Sequence, residues 1–106
     1  MGAIGSTSSA TLSSKNTNTV IYNVECTNAN TEYSQAFPSK CVGFILRSRQ
    51  LSNVKISFSS GGTSTDYLTV LSGCSIEDLN YRQDQTIYFQ SDVSGAIIEL
   101  FVNYNT

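Results

Sequence analysis

Three cysteines, six tyrosines, eight carboxylates and a large stock of hydroxyls are the side chains here that could act on a substrate, and no histidine stands among them. Without imidazole, the Ser-His-Asp and Cys-His arrangements, His-ligated zinc and an ordinary neutral-pH base all drop out. Seventeen serines are present, yet none lies in a G-x-S-x-G elbow and no base is at hand to activate one. Ser60-Gly61-Gly62-Thr63 has the glycines of a phosphate cradle but lacks the lysine and the following helix, so it predicts a hairpin turn. Glu77-Asp78 with Asp84 offers oxygen ligands for calcium at a spacing that matches no EF-hand. A glycosidase pair would have to be drawn from Glu77, Asp92 and Glu99, and no local spacing joins two of them. The chain is therefore expected to be non-enzymatic, with no cofactor and no metal.

Cys26, Cys41 and Cys74 are odd in number, far apart and free of any C-x-x-C pattern, which excludes a paired disulfide framework and a four-thiolate zinc site. Each falls in a strand-like run, so all three are expected as buried, reduced thiols. Aromatic faces can stack on sugars and bases, but most of the aromatics here occupy the inward phase of a strand and read as core. Tyr81, beside Arg82 in NYRQDQ, is the aromatic expected at the surface.

What must position these groups is one domain of 106 residues, 40% hydrophobic and only 13% charged, with 42 uncharged Ser, Thr, Asn and Gln side chains. The net charge of -2 gives no basic field for nucleic acid or an anionic membrane. Its distribution is uneven. Lys15, Lys40, Arg47, Arg49 and Lys55 dominate the first sixty residues, and Asp66, Glu77, Asp78, Asp84, Asp92 and Glu99 the rest. Either copies of the chain meet through complementary edges, or strands from both halves interleave and the asymmetry averages out. The start lacks the basic and apolar regions of a secretory signal, and no run approaches 18 apolar residues, so synthesis and folding are expected in a reducing cytoplasm.

Residues 1–18 read as a polar N-terminal arm, too poor in apolar side chains to offset its own ordering entropy, which a partner could order. From Thr19 to Thr106 the period is two. Val20, Tyr22, Val24 and Cys26 share one face; Val42, Phe44 and Leu46 another, opposite Arg47 and Arg49; Val54, Ile56 and Phe58 alternate with Asn53, Lys55 and Ser57. CSIEDL fits a strand edge or one helical turn, and Ile87 and Phe89 form the dry side of TIYFQSD. In AIIELFVNY both faces are largely apolar, which marks a central strand that is doubly covered or covered by a neighbouring subunit. Phe58 and Ile98 are expected in the core. About eight short strands separated by Gly, Ser and Asn turns predict an all-β, antiparallel β-sandwich of jelly-roll type, with an immunoglobulin-like sandwich as the alternative.

Taken in order, YSQAFPSKC, GFILRSR, VKISFSSGG, DYLTVLSG, SIEDL, TIYFQSD and AIIEL resemble the small β-sandwich accessory virion proteins of tailed bacteriophages, over about 72 residues from Tyr33 to Tyr104. The resemblance implies a capsid decoration or cement protein without enzymatic activity. It would assemble in the bacterial host cytoplasm and sit on the virion in many copies, as a homo-oligomer, a trimer above other states. Its partner would be the major capsid protein or another virion protein, with no role for nucleic acid or membrane. Candidate contacts are Ile4, Leu12 and Lys15 in the arm, Arg47 and Arg49 on one strand face, and Ile97 and Phe101 on the outer phase of the last strand. A receptor- or carbohydrate-binding module of a phage tail or head fibre is the rival reading.

Overall fold

The computed structural model describes residues 17–106. Eight strands run through them: β1 (Thr17–Cys26), β2 (Tyr33–Ala36), β3 (Cys41–Ser48), β4 (Val54–Ser57), β5 (Leu68–Val70), β6 (Ser75–Asp78), β7 (Thr86–Ser91) and β8 (Ala96–Asn105), with a single 3-10 turn at Gly62–Ser64. β1 starts two residues before the boundary expected at Thr19, because Thr17 and Asn18 continue the ladder opposite Asn105 and Tyr104. Backbone pairing needs no apolar side chain.

All pairs are antiparallel, in two four-stranded sheets ordered β1-β8-β3-β6 and β2-β7-β4-β5. Every connection except β4 to β5 passes from one sheet to the other, which is the jelly-roll arrangement. An immunoglobulin sandwich would set β1 beside β2 in one sheet; here they lie in different sheets.

The alternation does what it should at the centre. Ile98, Leu100 and Val102 of β8, Leu46 of β3, and Ile87 and Phe89 of β7 are fully buried, and Val54 and Ile56 of β4 nearly so. Three departures have local causes. The register of β3 against β8 shifts between Cys41 and Gly43, so an extra residue enters the strand and Cys41, rather than Val42, joins Phe44 and Leu46 in the core. Gly43 is required there, since a Cβ would come within 2.9 Å of the Asp78 carbonyl on β6.

Phe58, expected in the core, instead stands at the rim with 36% of its surface exposed. β4 ends at Ser57, and the ring leans edge-on against Phe44, under the Arg82 guanidinium 4.1 Å from its centroid. Ser57, expected on the wet side, is buried because the β4–β5 loop folds back over the outer face of its sheet. Gly62 lies so close that a Cβ there would sit 2.8 Å from Ser57 Cβ. Thr63, fully buried, accepts a hydrogen bond from Gln90 Nε2 at 3.0 Å, and Glu32, just ahead of β2, accepts from the backbone N–H groups of Gly61 and Thr63 and from the Thr63 hydroxyl. The third departure concerns thiols: Cys26 and Cys41 are buried, but Cys74 is exposed, because it closes the Ser72-Gly73 turn ahead of β6.

At one end of the sandwich Asp92 binds the backbone N–H and the side-chain amide of Asn53, whose Oδ1 accepts from Ser72 N–H. The β3–β4, β5–β6 and β7–β8 turns are thereby tied together.

Candidate interaction face

The two outer faces differ. That of β2-β7-β4-β5 is polar and partly roofed by its own β4–β5 loop. That of β1-β8-β3-β6 has no covering layer among the described residues. The register assembles it in rows: Ile21 on β1, Phe101 on β8, Ile45 on β3 and Glu77 on β6 stand side by side, followed one pleat along by Asn23, Glu99, Arg47 and Ser75. Ile21 is 59% and Phe101 42% exposed. Together with Ile45, Arg47, Ser75 and Glu99 they line an open depression of about 360 Å³.

Charge on this face is organised around Glu99. Arg47 Nε donates to its Oε1 at 2.7 Å and Arg49 Nε to its Oε2 at 2.9 Å, while Arg49 Nη2 also reaches Asn23 Oδ1 at 3.2 Å. The hydrogen bond from Arg47, then that from Arg49, holds the Glu99 carboxyl below its ordinary range. The positive first half and negative second half of the sequence therefore meet inside one sheet: strands interleave, and Arg47 and Arg49 have an acidic partner in their own chain. Both guanidinium side chains stay largely in solvent, 65% and 47% exposed. Exposed ion pairs contribute little to stability, so Glu99→Gln is expected to leave the thermal midpoint nearly unchanged at neutral pH. A large drop would show that the arginines are buried in an assembly.

Of the residues singled out in the sequence, the fold brings Arg47, Arg49 and Phe101 onto this one face. Ile97 lies on the same side, one pleat past Glu99 and opposite Arg49. It is half-buried, with its N–H on Gln50 Oε1 and its carbonyl on Arg49 N–H. Ile4, Leu12 and Lys15 lie outside the described residues. Ile21 and Ile45 complete the apolar row and were not singled out. The signal was present in the triplets VIY, FIL and LFV, where an outward position between two inward ones is itself apolar.

Elsewhere, burial pushes the Cys26 thiol up to about 11, against a hydrogen bond with the Ser91 backbone, and burial also raises Cys41. Neither is a thiolate at neutral pH. Asp78 is held by Arg82 and Asn80, and Asp92 by Asn53. Among the described residues no three His, Cys, Asp or Glu side chains converge on a point where a metal could sit. Tyr81, 68% exposed, stands with Leu79 in the β6–β7 loop at the Phe58 end. Comparison with protein-family models, curated proteins and solved structures returns no match.

Proposed function

We propose that this chain is a non-enzymatic structural protein of a tailed-phage virion, a decoration or cement protein that binds the repeating head shell in multiple copies through the outer face of β1-β8-β3-β6. The observation that carries this reading is the exposed row Ile21, Phe101, Ile45, set in the middle of a stiff sheet and bordered by Arg47, Arg49 and Glu99. An apolar strip with a charged border is the make-up of a protein contact, with burial supplying affinity and the charges fixing orientation. A face this size gives a modest single contact after the costs of association. Many copies on a repeating lattice multiply it.

The test is sedimentation of the purified chain with shells that lack it. Stoichiometric co-sedimentation is expected, and Phe101→Asp should weaken it at least tenfold while circular dichroism and thermal midpoint stay close to those of the parent. No binding to shells, combined with saturable binding to a glycan that Tyr81→Ala removes, would move the function to the receptor-binding reading.

A further inference from the structure

We infer that the outer face of β2-β7-β4-β5, opposite the face proposed for the shell, carries a binding site for a neutral saccharide ring. Outward side chains of three strands meet there in one row: the register sets Gln90 on β7 beside Lys55 on β4, and Lys55 beside Thr69 on β5. One pleat along, Asn53 and Asp92 close the end of the row at the tied turns. Asn30 borders it from the β1–β2 loop, its N–H held on the Ser91 carbonyl at 2.7 Å. These six side chains line a depression of about 220 Å³. Sites for drug-sized ligands run to roughly 300–1,000 Å³, so this one suits a single ring. Thr17, where the described chain begins, stands at the far end of β1 from Cys26 and the β1–β2 loop.

The state of the lining groups selects the ligand. Gln90 is only 8% exposed, and its Nε2 donates to the Thr63 carbonyl at 3.3 Å and to the Thr63 hydroxyl at 3.0 Å. That fixes the amide and leaves Oε1 to accept. Asp92 accepts two hydrogen bonds from Asn53, about half of what a carboxylate can take. On the donor side, the Lys55 ammonium has the Tyr67 ring, 4.6 Å from Nζ, and among the described residues none bonds to the side chains of Asn30 and Thr69. Fixed acceptors and unspent donors therefore stand side by side in one small depression.

Other ligand classes fit it poorly. An anion would meet the Asp92 carboxylate and find one lysine. A divalent cation would have a single carboxylate to hold it, with the Lys55 ammonium alongside. An apolar molecule would leave these polar groups desolvated without partners. A hydroxyl donates once and accepts twice, and a sugar ring carries several in adjacent positions. Neighbouring hydroxyls can thus donate to Gln90 Oε1 and Asp92 while accepting from Lys55, Thr69 and Asn30. The two outer faces of a sandwich point in opposite directions, so a copy seated on a shell by β1-β8-β3-β6 would turn this depression to the medium. Saccharide binding itself does not depend on that seat.

The test is an amide-resolved NMR titration of the full chain with the methyl glycosides of glucose, galactose, mannose and N-acetylglucosamine. Saturating shifts at Asn30, Lys55, Thr69 and Gln90 are expected for at least one of them, with a millimolar Kd, the strength that a few hydrogen bonds leave after the costs of association. Thr69→Val removes a hydroxyl at nearly constant shape on an exposed strand position, and Lys55→Met keeps the stem and loses the charge. Each should weaken binding about fivefold or more while circular dichroism stays that of the parent. Asn30 has a φ of 56°, which glycine adopts without strain, so Asn30→Gly removes the amide alone and should weaken binding likewise. Absence of saturation with all four glycosides overturns the inference, as does binding that none of the three substitutions weakens. Tighter binding of methyl glucuronide than of the neutral glycosides overturns the ligand class. Shifts confined to Tyr81 and its loop, at the opposite end of the sandwich, also overturn it. Failure here with shell binding intact leaves the proposed function standing, and loss of shell binding with these shifts intact counts against the proposed function alone.

Discussion

Replacing Phe89 with alanine is expected to destabilise the sandwich by about 3–5 kcal/mol, and the same truncation at Phe58 by only about 1–2 kcal/mol. Phe89 is fully buried at the middle of β7, flanked by β2 and β4. Removing its ring leaves a cavity that two sheets, each held by its own ladders, cannot close. Phe58 is already one-third in water, and its loss removes a contact with Phe44 and the face on which Arg82 rests. A domain of this size has roughly 5–15 kcal/mol of stability in all. Urea unfolding with an unchanged slope separates the two outcomes. Equal costs would mean that Phe58 is sealed in the core and that β4 runs one residue further than it does here.

The second large effect is expected at Glu32. Glu32→Ala removes the acceptor of three hydrogen bonds and leaves the N–H of fully buried Thr63 without a partner, a cost of about 2–3 kcal/mol. Glu32→Gln should recover part of it, because one amide oxygen cannot serve all three donors. The hydroxyl of Thr63, then the backbone N–H of Gly61, lowers the Glu32 carboxyl below its ordinary 4.5. A group depressed in the folded state stabilises it above the unfolded value and loses that contribution as pH falls through the folded one. Glu99 is also lowered by its two arginines, but its exposed ion pairs add little to this dependence. Asp78 is lowered from 3.8: its burial pulls upward, but hydrogen bonds from Asn80 and Arg82 outweigh it. Stability should therefore hold from neutrality down to about pH 4.5 and fall below it. Glu32→Ala should flatten that fall; an unchanged acid limb would place the titrating groups elsewhere.

How far the sequence foretold this molecule depends on the range of the interaction. Val54, Ile56, Ile87, Phe89 and Ile98 are placed correctly by period-two alternation, because each is decided by its own strand. The bulge at Val42 broke the phase, and Gly43, a glycine inside a strand, was the available sign of a close backbone approach. Phe58 misled because alternation says nothing about where a ladder stops. The pairing of Arg47 and Arg49 with Glu99 joins residues about fifty positions apart and follows only from β3 lying beside β8. The row Ile21, Phe101, Ile45 has the same origin: of its three members only Phe101 stands out in its own strand, and strand order makes one surface of them.

The position of β8 between β1 and β3 also sets a schedule. On the ribosome β1 to β7 emerge before β8, the strand that joins β1 to β3, so neither can complete its ladder until β8 has been made. Sandwiches dominated by such distant pairings fold in milliseconds to seconds, slowly for their size. The nascent chain thus carries open ladders on β1 and β3 until β8 clears the exit tunnel, and chaperone capture or aggregation competes with folding in that interval.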